Sequence, residues 1–123
     1  MGEDSRNYDL RRRTMDFALR IIRLCSKLPN TPEAWVIRRQ LCKSGTSPGA
    51  HYREACRARS TAEFTSKMEG GLQELDESGY WLEMLIYSKI FDTDETRSLV
   101  REDNELISIF VSCIKNAKDR GRS

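Results

Sequence analysis

Between Thr65 and Ile86 the chain sets Thr65, Met68, Leu72, Leu75, Gly79, Leu82 and Ile86 at alternating spacings of three and four. That spacing keeps one apolar stripe on a single face of an α-helix for three heptads. Ser60-Thr61-Ala62-Glu63 forms a capping box just ahead of it, so the helix is expected from about 61 to 88. A helix of that length spans roughly 40 Å and cannot bury its stripe alone. Everything else in the fold has to supply partners of similar length.

The remaining segments do so. Phe17, Ala18, Ile21, Leu24, Cys25 and Leu28 share one face of a predicted helix over about 10–28. Pro29-Asn30-Thr31 ends it, and Thr31-Pro32-Glu33 provides an N-cap, a proline at the first helical position and an acid at the positive end of the dipole. Ala34, Ile37 and Leu41 continue a second stripe that resumes in phase at Tyr52 and Ala55, beyond Ser44-Gly45-Thr46-Ser47-Pro48-Gly49-Ala50. The preserved phase favours one helix over about 32–58, kinked near Pro48, with a full loop as the alternative. A last helix is expected over about 97–118, with Leu99, Leu106, Phe110, Cys113 and Ala117 on one side. Its acids Glu102, Asp103 and Glu105 lie early and Lys115, Lys118 and Arg120 late, which complements the dipole. The tail Arg120-Gly121-Arg122-Ser123 is expected to fray. Short connections between matched helices predict an all-α, antiparallel up-down-up-down four-helix bundle, formed by residues 1–123 as one domain.

Charge is unevenly spread. Residues 1–58 carry 12 Lys/Arg against 6 Asp/Glu, and residues 59–114 carry 5 against 12. Internal pairing of the basic helices with the acidic third helix is the favoured account, ahead of contacts between subunits or with a polyanion. For a nucleic acid the candidate contacts are Arg11, Arg12, Arg13, Arg20, Arg23, Arg38, Arg39 and Lys43, although no motif with stacking aromatics accompanies them.

The four cysteines are scattered and read as reduced thiols packed like small hydrophobes. The polar start Met1–Asp9 resembles no targeting signal and no apolar run reaches membrane-spanning length, so a cytoplasmic protein with no membrane partner is expected. Chemistry finds little support. The one histidine, His51, belongs to no Glu-x-x-His pair, and five residues from Cys56 it shares no helix face with that thiol. It is expected at the surface or in a subunit contact. No catalytic, metal or cofactor residues are assigned, and Gly70-Gly71 is read as a place of close helix packing. A metal- or cofactor-binding bundle is the alternative to a non-enzymatic one, with Glu74 and Glu77 as its probes.

Gln40-Leu41-Cys42-Lys43-Ser44-Gly45-Thr46-Ser47, then Gly49-Ala50, Tyr52-Arg53-Glu54-Ala55 and Arg57-Ala58-Arg59-Ser60, resemble the signature of the "four helix bundle protein" family. Some of its members are encoded by intervening sequences of bacterial 23S ribosomal RNA genes. Glu63-Phe64, Lys67-Met68, Glu74, Asp76-Glu77-Ser78, Tyr80-Trp81-Leu82-Glu83 and Asn104-Glu105-Leu106 extend the likeness over about residues 14–118. The resemblance implies a left-handed bundle assembled as a ring-like homopentamer, with no settled activity. A distantly similar accessory protein of diversity-generating retroelements uses such a ring to bind nucleic acid and a reverse transcriptase, which suggests an RNA or nucleoprotein partner by analogy. Pro48 and His51 depart from the Val/Ile and Asn usual at those positions.

The apolar surplus near the end of the third helix points to self-association. Leu82 and Ile86 suffice for the bundle's core, which leaves Tyr80, Trp81, Met84 and Tyr87 facing elsewhere, with Trp35 and Val36 at the same end. Trp35, Tyr80, Trp81, Met84 and Tyr87 are therefore the expected oligomer interface.

Overall fold

The computed structural model describes the backbone of residues 5–121 and the side chains of residues 10–121. The expectations for Met1–Asp4 and for Arg122-Ser123 lie outside the described residues. Five helical segments follow one another: α1 (Ser5–Ser26), α2 (Pro32–Thr46), α3 (Pro48–Cys56), α4 (Thr61–Tyr87) and α5 (Asp94–Gly121). No strand occurs among the described residues. The last helix starts earlier than 97 and continues through Arg120 and Gly121, which are helical rather than frayed.

Local chemistry fixes the helix ends. Thr31 Oγ1 accepts from Ala34 N at the start of α2, and Ser60 Oγ accepts from Glu63 N at the start of α4. The Glu63 carboxylate reaches back to Arg59 N (3.1 Å), one residue before the position a capping box uses. Thr93 caps α5 by accepting from Thr96 N, while the buried Thr96 hydroxyl donates to Phe91 O (3.0 Å). This Thr93–Thr96 cap lies ahead of the expected helix start at 97, and it explains the early start of α5.

The α2–α3 junction is a bend without an intervening loop. Ser47 keeps helical dihedrals (φ −89°, ψ −32°), and His51 N donates to Ser47 O, so the ladder resumes at once beyond Pro48. Thr46 and Ser47 hydroxyls donate to Cys42 O and Lys43 O (2.6 Å each) on the turn before the proline, a back-bonding pattern that bends helices. Thus α2 and α3 act as one kinked rod, and four rods make the bundle.

Facing pairs show the directions. Ser44 meets Ser78, His51 meets Gly70-Gly71 and Glu54 meets Lys67, so α2–α3 and α4 run antiparallel. Asp103 meets Gly79 and Phe110 meets Gly71, so α4 and α5 do too. In the same way α1 runs against α2–α3 (Ile21 beside Gly45, Thr14 beside Gly49) and against α5 (Arg13 to Glu102, Arg20 to Glu95). Helices α1 and α4 occupy opposite corners, with no close backbone approach between their described residues.

The core holds Leu10, Phe17, Ile21 and Leu24 of α1, Leu41 of α2, Tyr52 of α3, Met68, Leu75, Leu82 and Leu85 of α4, and Leu99, Leu106 and Phe110 of α5. On α4 the buried face is rotated from the expected heptad stripe. Gly71, Ser78 and Leu85 are buried where Leu72, Gly79 and Ile86 were expected. The cause is two-sided packing. α4 serves both α2–α3 and α5, and small residues at 71 and 78 let the neighbouring rods come close. Ser78 donates to Glu74 O and meets Ser44 Oγ at 3.1 Å, which satisfies two buried hydroxyls. On α5, Ile114 and Asp103 join the buried face, and Cys113 is only half-buried.

A methyl group at Gly71 would lie 2.7 Å from Phe110 Cε2 and 3.2 Å from His51 Cβ, pressed between two rods. Overpacking costs about 1–3 kcal/mol, and the helix-propensity gain of alanine returns up to roughly 1 kcal/mol. Gly71→Ala is therefore expected to destabilise the fold in urea titrations by about 1 kcal/mol or more. A variant more stable than the parent would show that the rods are free to separate there.

Candidate functional site

Two unlike apolar faces remain uncovered on opposite corners. On α4, Tyr80 is 57% and Tyr87 79% exposed. Trp81 and Met84 are half-buried against the core, and the Trp81 ring meets Tyr80 edge-on at 5.0 Å between centroids. Helical spacing puts Tyr80, Met84 and Tyr87 in one outward row. Acids Glu77 and Glu83 flank that row. The linker does not cover it. Phe91 N returns to Leu85 O, and Ile90 and Phe91 pack against the core, so the linker closes the end of the bundle and leaves the side open. Trp35 stands near the same end on α2, 55% exposed, its indole N–H donating to Asn30 Oδ1 (2.9 Å).

The second face was not anticipated. Met15, Leu19 and Ile22 of α1 are each two-fifths to one-half exposed and form an i, i+4, i+7 row opposite the buried stripe. The signal was present as a second apolar row at helical spacing, but a reading that assigns one stripe per helix passes over it. Arg11, Arg12, Asp16 and Arg53 of α3 surround Met15 in an open groove of about 250 Å³.

The basic residues separate into two groups. Arg13 donates through Nε and Nη2 to the Glu102 carboxylate (3.0 and 2.6 Å) and lies 3.6 Å from Glu105. Arg20 makes a matching fork to Glu95 (3.0 and 2.9 Å) and donates to Ser98 Oγ (2.8 Å). Its guanidinium holds the Glu95 carboxyl below the usual carboxylate range. Arg38 closes the C-terminal end of α1, donating to Cys25 O (3.1 Å) and Leu28 O (3.0 Å). These three therefore serve the fold. Arg11, Arg12, Arg23, Arg39 and Lys43 are exposed on α1 and α2. Internal pairing of basic with acidic segments does occur, but with α5 in place of the acidic α4. Between α3 and α4 the polarity is even reversed, with Lys67 of α4 on Glu54 of α3 (3.0 Å).

His51 is half-buried against α4 instead of lying on the open surface. Its ring lies in the space that Gly70 and Gly71 leave open, with Cε1 2.9 Å from where a Gly70 Cβ would stand. Its Nδ1 is buried without a hydrogen-bond partner. Among the described residues no three of His, Cys, Asp and Glu converge closely enough to hold a metal ion.

Asp103 is the least expected group of the core. It is 1% exposed, in phase with Leu99, Leu106 and Phe110, and both carboxyl oxygens are buried without hydrogen-bond partners. One oxygen occupies the gap at Gly79, 2.6 Å from where a Cβ would be. Burial, and then the charges of Asp76 and Glu83 on α4, push its pKa up to about 8. As one of three early acids Asp103 complements the helix dipole, but its position on the apolar stripe marks it as inward-facing.

These observations define an antiparallel four-helix bundle with two exposed apolar faces and a modest basic surface. The sequence profile of the family described as "23S rRNA-intervening sequence protein" matches residues 6–112. The chain belongs to that family. It is similar to a protein of unknown function from the S23 ribosomal protein family of Bacteroides thetaiotaomicron VPI-5482, known from its crystal structure. The two share 34% sequence identity over 89% of this chain and 97% of that one, with a TM-score of 0.82. No curated protein matches. No helix among the described residues is long and apolar enough to cross a membrane.

The buried carboxyl makes stability depend on pH. Unfolded aspartate loses its proton near pH 4, whereas folded Asp103 keeps its proton to about 8. Between those values the native state binds more protons than the unfolded one. This group's contribution therefore falls as pH rises, by at most about 1.4 kcal/mol per pH unit, and levels off above the folded value. Asp103→Asn is expected to be more stable than the parent at pH 7.5, with the advantage shrinking towards pH 4.5. Denaturant melts at the two pH values that give one constant difference would show that Asp103 is not holding a proton.

Proposed function

We propose that this protein is a non-enzymatic assembly module of the cytoplasm, which builds a ring-like homo-oligomer, with five copies as the family resemblance implies. The observation that carries the reading is the pair of unlike faces on opposite corners. The α4 face is aromatic with acidic flanks, and the α1 face is aliphatic with arginines around it. A contact that joins α1 of one copy to α4 of the next is heterologous, so it propagates until rotation closes a ring. Aromatic residues are frequent anchors of such contacts, and opposite charge fixes the pairing and register. Tyr80, Met84 and Tyr87 form the centre of the α4 side, Trp81 supports it from below, and Trp35 extends it across α2. Met15, Leu19 and Ile22 form the receiving side.

Mixing variants tests both the assembly and its head-to-tail geometry. By light scattering, Tyr80→Ala/Tyr87→Ala and Leu19→Glu/Ile22→Glu are each expected to be monomeric, while the parent is a closed oligomer. Mixed in equal amounts, the two variants retain one intact face each and should form a dimer that grows no further. A monomeric parent, or variants that keep the full assembly mass, would overturn the proposal. Variants that stay monomeric when mixed would rule out the α1-to-α4 pairing.

A second reading, an RNA partner, is favoured by the groove in which Arg11, Arg12 and Arg53 surround Met15. Guanidinium groups from two helices around one groove suit backbone phosphates and carry no base code. Fluorescence anisotropy with a labelled single-stranded RNA should show affinity that falls steeply with added salt and differs little between sequences. It should drop at least about tenfold in Arg11→Ala/Arg12→Ala/Arg53→Ala, a loss of roughly 1.4 kcal/mol. Arg13 is left intact because its ion pair with Glu102 belongs to the fold. Binding indifferent to salt, or to the triple change, would remove this reading.

A further inference from the structure

The contact between α1 and α2 brings two cysteines together. Gly45 lets the helices approach so closely that a Cβ there would lie 2.8 Å from Ile21. One turn further along α1, Cys25 is level with the α2 segment between Arg38 and Gly45. The Cys25 thiol reaches Arg38 O (3.8 Å), while Arg38 Nε donates back to Cys25 O. Cys42 follows Arg38 by one turn and shares its face, which sets its side chain on the side of α2 that Cys25 approaches. The pair is asymmetric. Cys25 is 2% exposed and Cys42 is half-buried.

We propose that Cys25 and Cys42 form a dithiol that a hydroperoxide oxidises to an intramolecular disulfide joining α1 to α2. The accessible Cys42 reacts first. Its thiolate attacks one peroxide oxygen, the O–O bond breaks, and the departing oxygen takes up a proton to leave as alcohol or water. Cys42 is now a sulfenic acid. The Cys25 sulfur then attacks the Cys42 sulfur, and the Cys25 proton leaves with the sulfenic hydroxyl as water. Two thiols lose two electrons in total, and one hydroperoxide gains them. Burial holds the Cys25 thiol protonated, with the neighbouring Cys42 adding to the effect and the Arg38 guanidinium opposing it. That asymmetry assigns the first attack to Cys42 and the resolving role to Cys25. The product closes a loop around the α1–α2 turn and restrains the unfolded chain, so the oxidised bundle resists unfolding more than the reduced one.

The test uses the full chain with Cys56→Ser and Cys113→Ser, treated with stoichiometric hydrogen peroxide. Intact mass should fall by two hydrogens, both free thiols should disappear, and non-reducing digestion should give one peptide joining α1 to α2. Dithiothreitol should reverse every change. The oxidised form should melt higher by at least about 5 °C. In Cys25→Ser, Cys42 should stop at a sulfenic acid that dimedone traps. The parent chain gives the decisive result whether or not that variant folds. Retention of a free Cys25 beside an over-oxidised Cys42, or crosslinks only between chains, would overturn the proposal.

Discussion

Helix spacing around α4 controls the rest of the architecture, because α4 is the rod that must serve two neighbours along its whole length. Gly71 lets α5 and α3 approach through Phe110 and His51, and Gly79 lets α5 approach through Asp103. Ser78 takes the equivalent place against Ser44 of α2. Larger side chains at these positions would push the rods apart and open voids that Leu75, Leu82 and Tyr52 could not fill, since interiors are packed near crystal density. The close approach also has a cost. Glycine inside a helix is unfavourable by roughly 1 kcal/mol against alanine, and both Asp103 carboxyl oxygens and His51 Nδ1 lie where solvent cannot reach them. The bundle tolerates both because the same approach buries an almost continuous apolar seam.

Ion pairs follow from that arrangement. Once α4 lies diagonal to α1, the basic α1 cannot neutralise the acidic α4, and its nearest acids are those of the first half of α5. Forked Arg13–Glu102 and Arg20–Glu95 pairs set the register between α1 and α5. Both lie near the surface, so their energetic weight is small and their geometric role larger. Of the acids of α4, Glu69 pairs with Lys118 near the end of α5, and Glu77 and Glu83 are left exposed beside the aromatic row.

How much of this could be read in the sequence differs from feature to feature. Helix number, order and caps at Thr31 and Ser60 were legible because apolar period and cap chemistry are local. The bend at Pro48 was legible because the stripe keeps its phase across it. The buried face of α4 was not, because a heptad pattern describes a helix with one partner, and α4 has two. Glycine and serine at 71 and 78 carry no apolar signal, although they mark the closest contacts. The charge pairing was misassigned for a related reason. Net charge along the chain does not tell which helices are neighbours and which are diagonal. Of the candidate interface, the outward row of Tyr80 and Tyr87 was visible as an apolar surplus. Its counterpart on α1 was hidden because Met15, Leu19 and Ile22 could be mistaken for flanking core. Arg13, Arg20 and Arg38 were indistinguishable by sequence from the exposed arginines, since their partners lie far along the chain.

Diagonal placement has a further consequence for the proposed assembly. Helices α1 and α4 both run against α2–α3 and α5, so they are parallel to each other. Contacts through α5 and through α2 place their two outward rows level to within about two helical turns. Under the proposed pairing, α1 of one copy lies alongside α4 of the next with the same direction and little axial offset. Repetition then turns the bundle about an axis near the helix direction, a geometry compatible with a closed ring. Using up the α1 and α4 faces leaves the α2–α3 wall and the α5 wall as the two surfaces of that ring. The α2–α3 wall carries exposed Arg39, Lys43, Arg53 and Arg57. A formal charge of only +2 per chain is too small to single out a polyanion. The same four cations repeated by every copy around one surface would give a continuous basic band, and phosphate binding strengthens with the number of charges engaged together. In this arrangement assembly would strengthen any affinity for nucleic acid by aligning these cations from copy to copy.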